Sequence, residues 1–458
     1  MSAMLDRLLA ALDGHPGIHD WAVQQRRRHS VQLYLIGREI ESVREVTVEE
    51  YEVEVFNDHP WPEPPPEPAA AGGSGLARGV AGLTLMPADA PRLAQRLDEA
   101  VLMASLVHNP PYPLAAPPAA PYPSVPLADA QLRGSQEMHA AAGDFADQLW
   151  HLVEREPQVR LSAAECFLTR TALVLRNSRG LEAEAETTHA MAELALLAGS
   201  GTDEAEHFRQ IEARRLEDLQ LAQEVAEAAQ YARDTLQAQL PRTYTGPVVL
   251  SGDALVPLFA PLLFHASALA AYNRLSRLQL GESLYGEREV MGDRLTLRSN
   301  ALLPYGLGSY RFDHDGVPGA DVLLYEEGVL RARQATQRYA HYLGVPVTGE
   351  AANTQVRPGT AGDDELRGAA DGEGGPAAYE IVAFSAPEVD ELTGDFGMEI
   401  RLGYELTPHG RRPIKGGSLS GNVFEALAGV WFSHAVRMHG RYHGPRAARF
   451  ASLRVAGS

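Results

Sequence analysis

One stretch near the middle of the chain constrains the fold more than any other. From Asp203 to Leu240 the composition turns to Ala, Glu, Gln, Leu and Arg, and the stretch stops at Pro241. Leu219, Ala222, Ala226, Ala229 and Leu236 make an apolar stripe on a helical repeat. The spacing predicts one long amphipathic helix, its charged face in water. Pro241 ends it, because proline lacks the N–H and clashes with the preceding turn. Before this helix the chain mixes helical and strand-like runs. After Pro247 it turns strand-like. The helix is expected to link two halves of different character, residues 1–240 and 241–458. At 458 residues the chain has material for two or three domains.

Punctuation places the other elements. Leu5, Leu8, Leu9 and Leu12 recur at helical spacing and Gly14 follows as a stop. Leu93, Leu97, Val101 and Ala104 predict a second helix, and residues 136–155 a third. Val31–Ile36 and the alternating Tyr51–Phe56 read as strands. Leu168–Leu175 and Leu181–Thr188 flank a turn at Asn177-Ser178-Arg179-Gly180 and read as a hairpin. Later strand candidates are 294–298, 321–330 (interrupted by Glu-Glu-Gly) and 397–406, where Met398, Ile400 and Leu402 alternate with Glu399 and Arg401. Two Pro-rich stretches, 59–75 and 110–126, read as loops, the second as a long ordered connection or a polyproline ligand. The Gly- and Asp-rich run 359–378 is the strongest candidate for disorder.

The formal net charge of −20 argues against nucleic acid and against anionic membranes, which require a basic face. The one basic run, Gln25 to His29, reads as a solvated helix end. The single cysteine, Cys166, excludes an intrachain disulfide and a cysteine-rich metal site, and its apolar neighbours predict burial. No run of about 18 apolar residues is present, and Met1–Leu12 carries Asp6 and Arg7, unlike a signal peptide. The expected location is cytoplasmic.

Five short segments, in this order, carry whatever chemistry the chain has. They are Asn177-Ser178-x-Gly180, Leu262–Tyr272 around His265, Gly281-Glu282, Phe312-Asp313-His314-Asp315-Gly316-Val317-Pro318, and Ile414-Lys415-Gly416-Gly417-Ser418-Leu419-Ser420-Gly421-Asn422. Together they resemble the TldD/PmbA family, over roughly Leu168 to Asn422. The resemblance implies an α+β protein: an N-terminal α/β domain (1–240) with the long linking helix, then a β-rich, barrel-like C-terminal domain (241–458). It also implies dimers enclosing a cavity, with short or unfolded peptides as substrates of the active subunit.

Peptidase members of that family carry His-Glu-x-x-x-His on the helix at residue 262 onward. Here His265 matches the first histidine, but Ala266 stands at the glutamate and Ala270 at the second histidine. A zinc peptidase needs about three protein ligands and a general base. Active relatives also draw a cysteine ligand from the C-terminal domain, and none lies beyond residue 166. The motif is degenerate, so no catalytic and no metal-binding residue is expected in this chain. It resembles the non-catalytic TldE/PmbA-type subunit, with no cofactor of its own and zinc in a TldD-like partner subunit.

Lys415, Gly416, Gly417, Ser418, Ser420 and Asn422 are the substrate-binding candidates, since glycines admit close approach and the N–H and hydroxyl groups can pair with an extended peptide. A structural hairpin turn is an equal reading. The run lacks the Gly-Lys-Ser/Thr order of a phosphate loop. Asp313-x-Asp315-Gly316 reads as turn chemistry, since it lacks the further ligands of a calcium loop. His434, His439 and His443 could rebuild a metal site with His265 only if a helix ran through Gly440. Two rival functions follow: a homodimeric peptide-binding protein without catalysis, and a metallopeptidase with that unorthodox site.

Overall fold

A computed structural model describes residues 3–61, 75–368, 378–408 and 410–457. Six strands of the first half form one sheet: β1 (Asp20–Ile36), β2 (Glu39–Pro60), β3 (Leu76–Leu85), β4 (Val159–Asn177), β5 (Glu182–Ser200) and β6 (Asp203–Ala213). Their order is β3-β2-β1-β4-β5-β6, and every pairing is antiparallel. Helices α1 (Ala3–Asp13), α2 (Leu93–Ala104), α3 (Ser135–Glu154) and α4 (Leu221–Gln237) cover it. Leu5, Leu8 and Leu97 pack on Val23, Val53 and Val55. Phe145, Leu149, Val225 and Ala229 pack on Val31, Leu33 and Leu194. Burying these apolar faces against one another is the main force holding the layers together.

The single helix expected over 203–240 is two elements. Asp203–Ala213 is the edge strand β6, with Ala205, His207, Arg209, Ile211 and Ala213 turned inward. Its period of two escaped notice because two inward residues are polar. The helix begins at Leu221, and its buried face is Leu221, Val225, Ala228, Ala229 and Ala232; Ala222 and Ala226 are exposed. Glu224 also lies on the buried face, where it meets Arg209 and Arg437. The basic run Gln25–His29 is mid-strand, not a helix end. Arg26, Arg27, Arg28 and His29 pair with Glu52, Glu49, Glu50 and Glu45 across β1 and β2. Cys166 is fully buried, and burial pushes its thiol up to about 12.

The second half supplies β7 (Tyr244–Ser251), β8 (Leu297–Asn300), β9 (Asp321–Glu326), β10 (Val329–Leu330), β11 (Asn353–Val356), β12 (Ala378–Phe384) and β13 (Asp395–Thr407). It continues with β14 (Gly410–Ile414), β15 (Ser418–Asn422), β16 (Val430–Phe432), β17 (Val436–His439), β18 (Tyr442–Pro445) and β19 (Ala447–Ala456). Strands β12-β7-β19-β15-β13 close into a barrel, because β13 pairs back onto β12. A second sheet runs β10-β9-β8-β11-β18-β17. The short helices are α5 (Ala260–Ala266), α6 (Ala268–Tyr272), α7 (Gln337–Leu343), α8 (Asp363–Arg367) and α9 (Val423–Ala426). The β-rich, barrel-like second half is as the resemblance implied. Most of the loop expected at 59–75, and residues 369–377 of the disorder candidate, lie outside the described residues.

The Pro-rich stretch 110–126 is an ordered connection that fastens the two halves. Its carbonyls accept from both sides: Tyr112 from Arg78 and Ala115 from Asn177 of the first sheet, Pro110 from Tyr342 and Pro126 from the Tyr305 N–H of the second half. Prolines lack an N–H, so such a segment can be used as an acceptor strip without leaving buried donors unpaired.

A buried ion network makes the second junction. Arg209 on β6 meets Glu224 at 2.6 Å and Asp253 at 2.6 Å; Arg437 on β17 meets Glu224 at 2.6 Å and Glu227 at 3.1 Å; His439 meets Asp253 at 2.9 Å. Burial would raise the Asp253 carboxyl, but the His439 hydrogen bond and the Arg209 charge outweigh it and hold it at about 2. Beside them, burial first and then the Arg209 and Arg401 charges push His207 down to about 3. His207 therefore stays neutral in the fold while its unfolded counterpart protonates near pH 6.5. The unfolded chain binds the extra proton, so stability falls as pH drops from about 6.5 toward 3. His207→Gln should flatten the decline of Tm with pH across that window. Parallel declines in the two proteins would show that another group is responsible.

Candidate functional site

His265 closes α5 and is fully buried. Its Nδ1 accepts the Arg277 N–H at 3.1 Å, and its Nε2 lies 3.0 Å from the Leu392 carbonyl oxygen. A carbonyl only accepts, so Nε2 carries the hydrogen and Nδ1 the lone pair already in use. Phe264 and Phe424 flank the ring at 5.3 and 5.4 Å, and the Arg277 guanidinium lies over Phe424. Burial lowers the imidazole's pKa. No lone pair is left for a metal.

The helix expected over 262–272 breaks at Ser267. That residue is extended (φ −73°, ψ 141°), and its Oγ accepts the Ala270 N–H at 3.0 Å, capping α6. Around the break the backbone pairs with Gln334: Ala268 N–H donates to its carbonyl, and its N–H donates to Ala266. Residues 265 and 270 therefore sit on different helices. Serine is a strong N-cap residue, and its position inside the apolar run was the legible signal. Ala266 and Ala270 are 0% and 1% exposed. The residues present do not fit a zinc ion.

Arg333 completes the cluster and was missed. It is buried, has no ion pair among the described residues, and donates to the His265 and Leu278 carbonyls and to Ser276 Oγ. Nothing in its sequence neighbourhood marks it. The result is a knot of hydrogen bonds around His265.

The three C-terminal histidines do not converge. Gly440 (φ 55°) turns β17 into β18, and no helix runs through it. His439 is opposite Tyr442 and His443 is opposite Met438, so the two histidines face opposite sides of the hairpin. His439 is held by Asp253, while His434 lies 3.1 Å from the Ala361 carbonyl. Among the described residues, only Asp313, His314 and Asp315 group as metal ligands could. Asp313 is already committed to turn chemistry: Oδ1 accepts the Asp315 and Val317 N–H groups, and Oδ2 that of Glu350. His314 pairs with Glu350 at 2.5 Å, which raises its pKa to about 10.

The Gly/Ser-rich segment joins β14 to β15. Gly416 and Gly417 both take positive φ (76° and 71°), which only glycine adopts without strain. A Cβ at Gly417 would lie 2.3 Å from the Ala456 carbonyl oxygen. Gly417→Ala should cost about 2 kcal/mol or more, read from urea unfolding; an unchanged midpoint would show that the turn relaxes. Lys415 Nζ donates to the Thr235 carbonyl at the end of α4, at 3.1 Å. Ser418 and Ser420 pair on both sides, with β13 and β19, leaving no free backbone edge there. Asn422 caps α9 through Phe424 N–H and also holds Thr393 and Asp395. Ser420, Gly421 and Asn422 line an open groove with Met291 and Arg454. What this segment offers a peptide is therefore a groove of side chains.

Residues 242–457, the barrel and its companion sheet, match the PmbA/TldA metallopeptidase C-terminal domain. Over these residues the chain belongs to the TldD/PmbA family. It is 26% identical over 211 residues to an uncharacterised protein of Methanocaldococcus jannaschii, covering 44% of this chain and 49% of that one. It is 29% identical over 133 residues to a zinc metalloprotease TldD homologue of Saccharolobus solfataricus, covering 26% and 29%. The matches thus span half or less of these relatives. The crystal structure of TldE from Thermococcus kodakarensis superposes with a TM-score of 0.78 at 16% identity, over 99% of this chain and 100% of that one, and shows the shared fold. The second half is thus related to the metallopeptidases of that family. Among the described residues no helix is long and apolar enough to cross a membrane.

Proposed function

We propose that this TldD/PmbA-family chain is a non-catalytic, TldE-type subunit. It would pair with a TldD-like zinc peptidase, close the chamber and help hold extended peptide. The observation that carries this is the state of His265: both ring nitrogens are spent on backbone groups, and the glutamate and second-histidine positions are buried alanines. With neither ligand nor base, this segment cannot activate water. The zinc belongs to the partner, and this chain needs no cofactor. Its own contribution to substrate would be the side-chain groove at Ser420, Gly421 and Asn422. The complex would act in the cytoplasm on short or unfolded peptides. The rival reading, a metal site rebuilt from His265 with His434, His439 or His443, lacks support because those groups do not meet.

The test is cleavage of an unfolded peptide by this chain, by a TldD-like subunit from the same genome, and by the mixture. The expected result is none from this chain alone and a marked gain on mixing. Chelator-sensitive cleavage by this chain alone, or no gain on mixing, would overturn the reading.

A further inference from the structure

A cleft of about 440 Å³ opens where the first sheet meets the barrel, away from His265 and from the Ser420 groove. We propose that it is a separate peptide site, in which an extended segment adds as a strand to β6 with a carboxylate of the segment on Arg401.

Two open strand edges face this cleft. Among the described residues, β6 is the last strand of its sheet and pairs only with β5. His207, Phe208, Arg209 and Gln210 line the cleft consecutively. Successive residues point to opposite faces, so the wall they make is the strand's edge. Opposite, β12 pairs with β7 only from Tyr379 to Ile381. Beyond that, Ala383 and Phe384 pair with β13 alone among the described residues, Val382 is bulged out of the register, and all three line the cleft. Among the described residues, the backbones of 206–212 and 382–384 make no hydrogen bonds outside these ladders. Unpaired N–H and C=O groups along an edge are what strand addition uses. The run 207–212 offers about 20 Å of edge.

The charges select the occupant. The acids of the wall are already matched: Asp253 by Arg209 and His439, Glu212 by His189 and Gln210. Arg401 lines the same cleft and has no hydrogen bond or ion pair among the described residues. A guanidinium in a cleft takes a carboxylate in a bidentate pair. His207, 4% exposed, leaves Nε2 buried and unpartnered in the same wall. Phe208, 42% exposed, offers an apolar ledge for a neighbouring side chain. The site goes beyond the partner-subunit reading and does not depend on it.

The test is fluorescence anisotropy with the full chain and a degenerate pool of fluorescein-labelled heptapeptides containing one glutamate and a free C-terminus. Amidating the terminus and changing the glutamate to glutamine remove the two carboxylate sources separately and together. A further twin is N-methylated at alternate backbone nitrogens. Removing both carboxylates, or N-methylating, should weaken binding about tenfold or more. Arg401→Gln, with unchanged Tm, should bind the acid pool as weakly as the parent binds the neutral one, and Arg401→Lys should recover part of the difference. Ser420→Asp, in the groove already assigned to substrate, should leave the Arg401-dependent difference between the acid and neutral pools unchanged. No binding, equal binding of acid and neutral pools, insensitivity to N-methylation, or a loss with Ser420→Asp in place of Arg401→Gln would each overturn the proposal. Stimulation of cleavage by Arg401→Gln in the mixture reads the partner-subunit role separately.

Discussion

Reinstating the missing motif, Ala266→Glu with Ala270→His, will not restore a zinc centre and will severely destabilise the chain. Ala266 is fully buried among Leu262, Phe259 and the barrel core. A carboxylate there would sit among apolar side chains, and burying a charge without a matched partner costs several kcal/mol even after relaxation. Total domain stability is of the order of 5–15 kcal/mol. The break at Ser267 also keeps residues 265 and 270 from sharing a helix, and His265 Nδ1 is held by the Arg277 N–H. The double variant should lose well over 10 °C in Tm, or fail to fold, and should carry no stoichiometric zinc. A folded variant holding one zinc per chain would show that the knot around His265 is easily undone.

The second large effect is at the junction of the halves. Arg209→Ala should destabilise the protein by about 3 kcal/mol, because it leaves the buried Glu224 and the half-buried Asp253 with only Arg437 and His439 as partners. Removing one partner of such a network costs more than the pairs contribute, since the survivors remain desolvated. The unfolding free energy in urea is the readout. Arg160→Ala, which breaks an exposed pair with Glu204, should change it by less than about 1 kcal/mol. If both substitutions cost the same, the buried network does not fasten β6 to α4 and the barrel.

Where apolar residues mark the buried face, the sequence was readable. The α1 repeat, the β13 alternation and the hairpin at Asn177–Gly180 lie where their patterns put them. Where polar residues are buried, it misled. β6 turns His207 and Arg209 inward, so its period of two dissolved into a helical composition, and Glu224 shifted the apparent stripe of α4 by a residue. Those groups are buried only because distant partners meet them, which no local pattern records. At the candidate site, the alanines at 266 and 270 were legible as small residues within an apolar run. Ser267 as a cap was legible and overlooked. Arg333, and the Leu392 carbonyl that takes the His265 N–H, come from elsewhere in the chain and could not be read from the segment.

The claim at the centre of this account is that the His265 segment holds no metal and does no chemistry. It is tested most directly by the zinc, iron and manganese content of the full chain, expressed alone without a metal-binding tag and measured by plasma mass spectrometry. The account predicts well below one equivalent of any of the three. One tightly held metal per chain, lost on His265→Ala, would contradict it.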